Sequence, residues 1–278
     1  MAIAFRWCHR LRTSITVAAK MSTPDSPNAS SDSEFDDEEQ IPIRPASVKL
    51  QDIKTIAALF ESGVLKPATS EKLQYKPDPT LLERVSLYQG DITRVDVDAI
   101  VNAANRSLLG SGGVDGAIHA AAGRKLLEEC RELNGCLTGE SKITRGYNLP
   151  ARHIIHTVGP VYTVREKEEK AAQLTSSYKT SLEVAVENAI RHVAFPSIST
   201  GIYSYPIVSA TRIALDTVRK CLETEEGSKL ERVIFVVWSD KDKEVYETLI
   251  PEYFPIGEKP ESPEPVAEPE SVTAEPEA

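Results

Sequence analysis

The chain has 278 residues, 41% of them hydrophobic, with 32 basic against 42 acidic side chains and a formal net charge of -10. That length suits one large domain or two small ones, and the acidity argues against a general nucleic-acid coat, which needs clustered Lys and Arg to displace counterions. The four cysteines (Cys8, Cys130, Cys136 and Cys221) show no CxxC spacing, which suggests a reducing compartment and excludes a disulfide scaffold and a zinc ribbon. The charge is uneven. Residues 22–40 hold seven acids and no Lys or Arg, residues 258–278 hold seven acids and one Lys, and residues 1–21 hold four basic residues and no acid, so residues 41–257 carry only -1. No apolar run approaches the roughly 20 residues that cross a bilayer, and a soluble protein is expected.

In chain order, residues 1–21 place Arg6, Arg10, Arg12 and Lys20 among Ile3, Phe5, Trp7, Leu11, Ile15 and Val17. This fits a mitochondrial transit peptide, since the arginines interrupt what would be the apolar core of a secretory signal. The alternatives are a plain basic leader, or synthesis starting at Met21, with a cytoplasmic or nuclear protein. Residues 22–40 and the Pro/Glu-rich residues 258–278 are too charged to bury a core, and their composition predicts disorder. Within residues 41–80, Leu50, Ile53, Ile56, Ala57 and Phe60 recur at helical spacing and predict an amphipathic helix packed on the domain that follows.

From residue 81 to residue 257 the periodicity alternates. Val85–Tyr88 and Ala99–Ala103 read as strands, after which Ile118, Ala121, Ala122, Leu126 and Leu127 fall on one helical face. His153–Val158 reads as a strand, Glu166–Lys170 as a solvated loop, and Tyr178, Leu182, Val186 and Ile190 as the stripe of a helix. Val193–Ser197 reads as a strand, Ile207–Leu222 as a helix, Val233–Trp238 as a strand and Lys243–Leu249 as a short last helix. Strands alternating with helices, several of them continuously apolar, imply a largely parallel sheet covered on both faces.

In such folds ligands bind beyond the C-terminal ends of the strands. After Ala99–Ala103 come Ala104 and Asn105, then Gly110-Ser111-Gly112-Gly113-Val114-Asp115-Gly116, with four of the chain's 14 glycines in seven residues. Bare N–H groups at a helix start suit a phosphate, although the spacing is neither a dinucleotide fingerprint nor a P-loop; the bland alternative is a flexible turn with Asp115 as N-cap. Ser197 to Pro206 forms a second strand-to-helix loop, in which Ser199, Thr200 and Gly201 supply donors while Ile202 and Tyr203 can close over a ligand. Gly90-Asp91-Ile92 ends the first strand with a carboxylate that accepts from a base amine or merely closes a turn. Trp238 offers a stacking face or sheet-edge packing. His119 reads as a helix-packing residue, His153 and His156 as structural, and Asp96 with Asp98 as a solvated edge.

Several long motifs carry a resemblance: Gly90-Asp91-Ile92, Val97 to Asn105, Gly112 to His119, His156 to Pro160 and Ser199 to Tyr203. In this order, from about Leu81 to Phe254, they resemble the macrodomain family, specifically its MacroD-type branch of ADP-ribosyl hydrolases, and the helix upstream of Lys66 resembles an extension found in that branch. The resemblance implies a three-layer α/β/α sandwich with a mixed, largely parallel central sheet that binds ADP-ribose. It places Asp91 at the adenine amine, the Ile92 backbone and Trp238 at the adenosine, and Gly112, Gly113 and Val114 opposite Ser199, Thr200, Gly201, Ile202 and Tyr203 around the diphosphate and distal ribose. Asn105 and Asp115 match the two polar residues that the hydrolytic branch uses at the distal ribose. The chain departs from the family at Ser111 and Ser204, where Gly is common, and at Ala120, where Arg is frequent.

The resemblance further implies hydrolysis of mono-ADP-ribose esters on Asp and Glu side chains and of O-acetyl-ADP-ribose, with no metal or other cofactor. Asn105 would fix the ribose hydroxyls, and either Asp115 or the substrate phosphate would activate water. A non-catalytic reader of ADP-ribosylated proteins and a phosphatase acting on ADP-ribose 1''-phosphate are the rival readings. ADP-ribosylated proteins are the expected partners, with ADP-ribosylated nucleic-acid ends left open by the nearly neutral domain. No membrane association is expected, and with no heptad pattern the chain is expected to be a monomer.

Overall fold

In the computed structural model of the protein, residues 46–257 are described; the expectations for residues 1–21, 22–40 and 258–278 lie outside them. The chain runs through β1 (Val48–Lys49), α1 (Ile56–Glu61), α2 (Pro79–Leu82), β2 (Val85–Gln89), β3 (Val95–Asp96), β4 (Ala99–Ala103), α3 (Gly113–Ala122), α4 (Arg124–Glu132), β5 (Ser141–Arg145) and β6 (His153–Thr157). It continues through α5 (Lys167–Glu187), β7 (His192–Pro196), α6 (Ile207–Leu222), β8 (Arg232–Val237) and α7 (Asp240–Tyr253). Six strands form one sheet in the order β2-β8-β7-β4-β6-β5, parallel throughout except for β5, which runs antiparallel to β6. β1 and β3 form a separate parallel pair.

The apolar runs in the central strands reflect burial on both faces. Val101, Ile155, Val193, Phe195, Val233 and Phe235 pack among the apolar residues of α1, α2, α5, α6 and α7. Their alternates Ile100, Ile154, Ala194, Ile234 and Val236 pack with Ile118, Ala122 and Leu126 of α3 and α4. The period-two alternation of a strand thus feeds two cores, and the result is the three-layer α/β/α sandwich.

Local chemistry redraws several expected boundaries. The single helical face drawn through Ile118 and Leu127 is broken at Gly123, whose φ of 86° lets its N–H bond His119 O and end α3. The amphipathic helix expected from Leu50 to Phe60 is not formed. Leu50–Asp52 is a 3-10 turn, the Thr55 hydroxyl caps a six-residue α1, and Ile53 joins one core while Ile56 and Phe60 join the other. Glu166–Lys170, expected as a loop, contains the start of α5, where Lys170 pairs with Glu166 at 2.8 Å. Ile190, counted in that helix's stripe, lies beyond its end. The last helix is twice the expected length: Ser239 caps it three residues early, its Oγ accepting from Asp242 N at 3.1 Å, and it runs four residues further, to Tyr253. Asp98 is no solvated edge: it accepts from the backbone N–H groups of Arg191 and His192, both at 3.0 Å, and tethers the start of β7 to β4.

Candidate active site

β2, β8, β7 and β4 run parallel, so their C-terminal ends open at one edge of the sheet. There the segments leaving them enclose a cavity of about 490 Å³. Asp91, Ile92, Asn105, Gly112, Gly113, Val114, Ser199, Thr200, Gly201, Ile202, Tyr203 and Trp238 all line it. Asp115, the remaining residue singled out from the sequence, does not.

Each wall follows from local chemistry. The Asp91 carboxylate is oriented by accepting from Thr93 N at 2.9 Å and Thr93 Oγ1 at 2.7 Å, both through Oδ1, which leaves Oδ2 for a ligand. α3 begins with Gly112 as N-cap and no side-chain cap, so its first N–H groups stand open at the positive end of the helix. The second loop faces the first closely: a Cβ on Gly112 would stand 3.4 Å from Ile202 Cδ1. Ser199 sits at φ 65° with its hydroxyl buried and, among the described residues, unpartnered. A positive φ at a non-glycine residue is a local strain that the surrounding loop must hold. Ile202 and Trp238 are 75% and 76% exposed where they line the cavity, so Trp238 does not pack the sheet edge.

Among the described lining residues none is Lys or Arg; the charged ones are Asp91 and Asp242. An anion in this cavity is therefore met by backbone N–H groups and a helix terminus. Asn105 Oδ1 accepts from Ser107 N at 2.9 Å and Ser107 Oγ at 2.6 Å, which fixes the side chain with its amide nitrogen available as donor.

Asp115 lies in the first turn of α3, 1% exposed, behind the glycine loop. It is not the N-cap that the bland reading made it. Its Oδ1 accepts from Asn102 Nδ2 at 2.7 Å and lies 3.6 Å from His119 Nε2; its Oδ2 accepts from Ser111 Oγ at 2.7 Å. The same Asn102 nitrogen stands 3.0 Å from His156 Nδ1. Because a carboxylate accepts only, the Asn102 NH2 must face Asp115, so His156 accepts at Nδ1 and carries its proton on Nε2, donated to Thr144 Oγ1 at 2.9 Å. Burial, with a smaller contribution from His119, pushes the His156 ring down to about 3, so it stays neutral. Burial also lowers His119, against the pull of Asp115. The His119 ring packs under Gly110, 3.2 Å from where a Cβ would stand, and remains off the cavity.

His119, Cys130 and His156 bring one ligand atom each to within 4.8 Å of one another. Both nitrogens of His156 are committed to hydrogen bonds, and burial pushes the Cys130 thiol up to about 11. The cluster is accounted for as a packed polar core. Cavity residues that the sequence did not single out as ligand-binding include Gly90, Ser111, Gly159 and Asp242. Gly159 was within reach from its place after strand β6, where a Cβ would overlap the Ser199 hydroxyl.

The Macro domain family matches residues 101–214. The chain is 50% identical over 186 residues to ADP-ribose glycohydrolase MACROD1 of Rattus norvegicus, covering 67% of this chain and 72% of that protein. It is 58% identical over 174 residues to macro domain-containing protein CT2219 of Chlorobaculum tepidum, covering 63% and 98%. ADP-ribose glycohydrolase MACROD2 of Homo sapiens matches at 50% identity over 71% of this chain, which spans 46% of that longer protein. Among solved structures, the Trypanosoma brucei macrodomain in complex with ADP-ribose superposes with a TM-score of 0.62 at 39% identity, covering 74% of this chain and 78% of that one. At 50% identity over 72% of the rat protein's length, and with the family's own model matching residues 101–214, the chain belongs to the macro domain family.

Proposed function

We propose that this protein is a hydrolase that removes mono-ADP-ribose from Asp and Glu side chains of proteins and deacetylates O-acetyl-ADP-ribose. The observation that carries the reading is the cavity itself. It joins a carboxylate suited to a base amine, Asp91, to two donor-rich loops and to Asn105 at its wall, in a chain 50% identical over 186 residues to an ADP-ribose glycohydrolase.

Adenine meets Asp91 Oδ2 and the Ile92 backbone, with Trp238 against the adenosine. The diphosphate lies between the α3 N-terminus and the Ser199 to Tyr203 loop, whose donors are fixed before the substrate arrives and need no reorganisation. Asn105 donates to a distal ribose hydroxyl and holds the ester beside the glycine loop. An ester carbon so placed needs an oriented water and a weak base, supplied by Asp115 or by the substrate's own phosphate.

Turnover of a Glu-ADP-ribosylated peptide, of O-acetyl-ADP-ribose and of ADP-ribose 1''-phosphate, followed side by side, tests this. Release of ADP-ribose from the first two is expected, with kcat falling by about 10²-fold in Asn105→Ala and Asp115→Ala. Binding without turnover would leave a reader module, and turnover of the phosphate alone would leave a phosphatase.

The same pocket would admit an ADP-ribosylated nucleic-acid end, and we expect a monomer in light scattering. No helix among the described residues is long and apolar enough to cross a membrane. Mitochondrial targeting by residues 1–21 is tested by imaging that segment fused to a fluorescent protein; a diffuse cytosolic signal would end it.

A further inference from the structure

Asp115 has both oxygens occupied and no access to the cavity, yet one of its partners stands in the cavity wall. Ser111 lines the cavity and donates to Asp115 Oδ2 at 2.7 Å. We propose that Ser111 is the group through which the buried Asp115 acts on the substrate, as a proton relay between the carboxylate and the attacking water. The proposal rests on the hydrolase reading above and names how its base is reached.

Three observations converge on this serine. The direction of the hydrogen bond is fixed, because a carboxylate accepts only; the Ser111 proton points inward to Asp115 and the oxygen's lone pairs are left free to accept from a water. The serine is held in place by the helix it precedes, since its carbonyl occupies the space that a Cβ on Gly116 would fill. The carboxylate behind it is clamped on the other side, Oδ1 accepting from Asn102 at 2.7 Å. Within Gly110 to Gly116, moreover, Ser111 carries the one side-chain hydroxyl.

In the step, a water hydrogen-bonded to Ser111 Oγ gives it a proton as the Ser111 proton passes to Asp115 Oδ2. The resulting hydroxide bonds to the acyl carbon. The acyl C–O bond to the ribose then breaks, and the ribose oxygen leaves with the proton returned from Asp115 through Ser111. Water is consumed, an acid and a ribose hydroxyl are formed, and both protein groups end as they began.

The test compares the unmutated protein, S111A and S111T on a Glu-ADP-ribosylated peptide, with ADP-ribose affinity by calorimetry and Tm measured for each. For S111A, kcat is expected to fall by about tenfold or more, with KM and ADP-ribose Kd unchanged and Tm lowered because the buried Asp115 Oδ2 loses its donor; S111T restores the hydroxyl and most of the rate. An S111A rate equal to the parent's would overturn the relay. So would a loss that tracks affinity, or an S111T that folds to the parent's Tm and is as slow as S111A. No turnover by the unmutated protein would overturn the hydrolase reading itself, and the relay with it.

Discussion

Gly201 lines the cavity and has nothing within 4 Å of where a Cβ would stand, so a side chain placed there meets open space beside the two loops and no part of the fold. Gly201→Glu should therefore leave Tm unchanged while abolishing ADP-ribose binding, because a carboxylate would sit among donors arranged for a phosphate. Calorimetry and a thermal melt on the same sample check it, and unchanged affinity would refute the loop assignment. Gly159 is the converse case. A Cβ there would overlap Ser199 Oγ, so Gly159→Ala should displace Ser199 and weaken ADP-ribose binding by about tenfold, since one well-placed hydrogen bond to a charged group is worth roughly 1.5–3 kcal/mol. The two glycine loops were legible in the sequence because each is a local run between a strand and a helix. The place of Asp115 was not. Whether that carboxylate faces the cavity or the core depends on a chain that returns to bury it, bringing Asn102 from β4 and His156 from β6 to its back.

At the scale of elements, the strands that proved easiest to read are those buried on both faces, where apolar continuity leaves no other assignment. The elements that escaped are held by contacts from outside themselves. β5, with the half-buried pattern of an edge strand, exists through its antiparallel pairing with β6. The start of β7 depends on Asp98, across the sheet edge. Burial tends to raise the Asp98 carboxyl, but donors from the Arg191 and His192 backbones, with the His192 ring and Arg152 nearby, outweigh it and hold it below the usual carboxylate range. A lowered folded-state value means that the stabilisation is present above the unfolded carboxyl value, near 4, and is lost as pH falls through the lower folded value. Asp98→Ala should cost about 2 kcal/mol at neutral pH by stranding two backbone donors. Melts from pH 7 to pH 3 should show a shallower acid limb in the variant, and parallel curves would show that Asp98 contributes nothing to acid unfolding.

Over the whole described molecule, the lead-in to the sandwich is part of its core. Ile56, Leu59, Phe60 and Leu65 share one buried cluster with β2, β7, β8 and the helices α5, α6 and α7. Polar contacts fasten the same segment: Arg219, almost fully buried in α6, donates to Lys76 O at 3.0 Å and Tyr253 O at 3.2 Å, and Tyr75 donates to Asp216 at 2.6 Å. The three helices α5, α6 and α7 pack with this lead-in. At about 1.5–3 kcal/mol for each buried aliphatic or aromatic side chain, the four residues account for roughly 6–12 kcal/mol, as much as the entire net stability of a typical domain. A chain beginning at residue 81 should therefore lose its cooperative thermal transition, although every residue proposed to bind ADP-ribose is still present. Arg219→Ala should retain the transition at a lower Tm, since it strands the two carbonyls and uncovers the Tyr75 and Phe254 rings but leaves Ile56, Leu59, Phe60 and Leu65 packed. Calorimetric melts of both variants beside the full chain decide the point, and a chain from residue 81 that melts at the parent's Tm would show that the extension only rests on a domain complete without it.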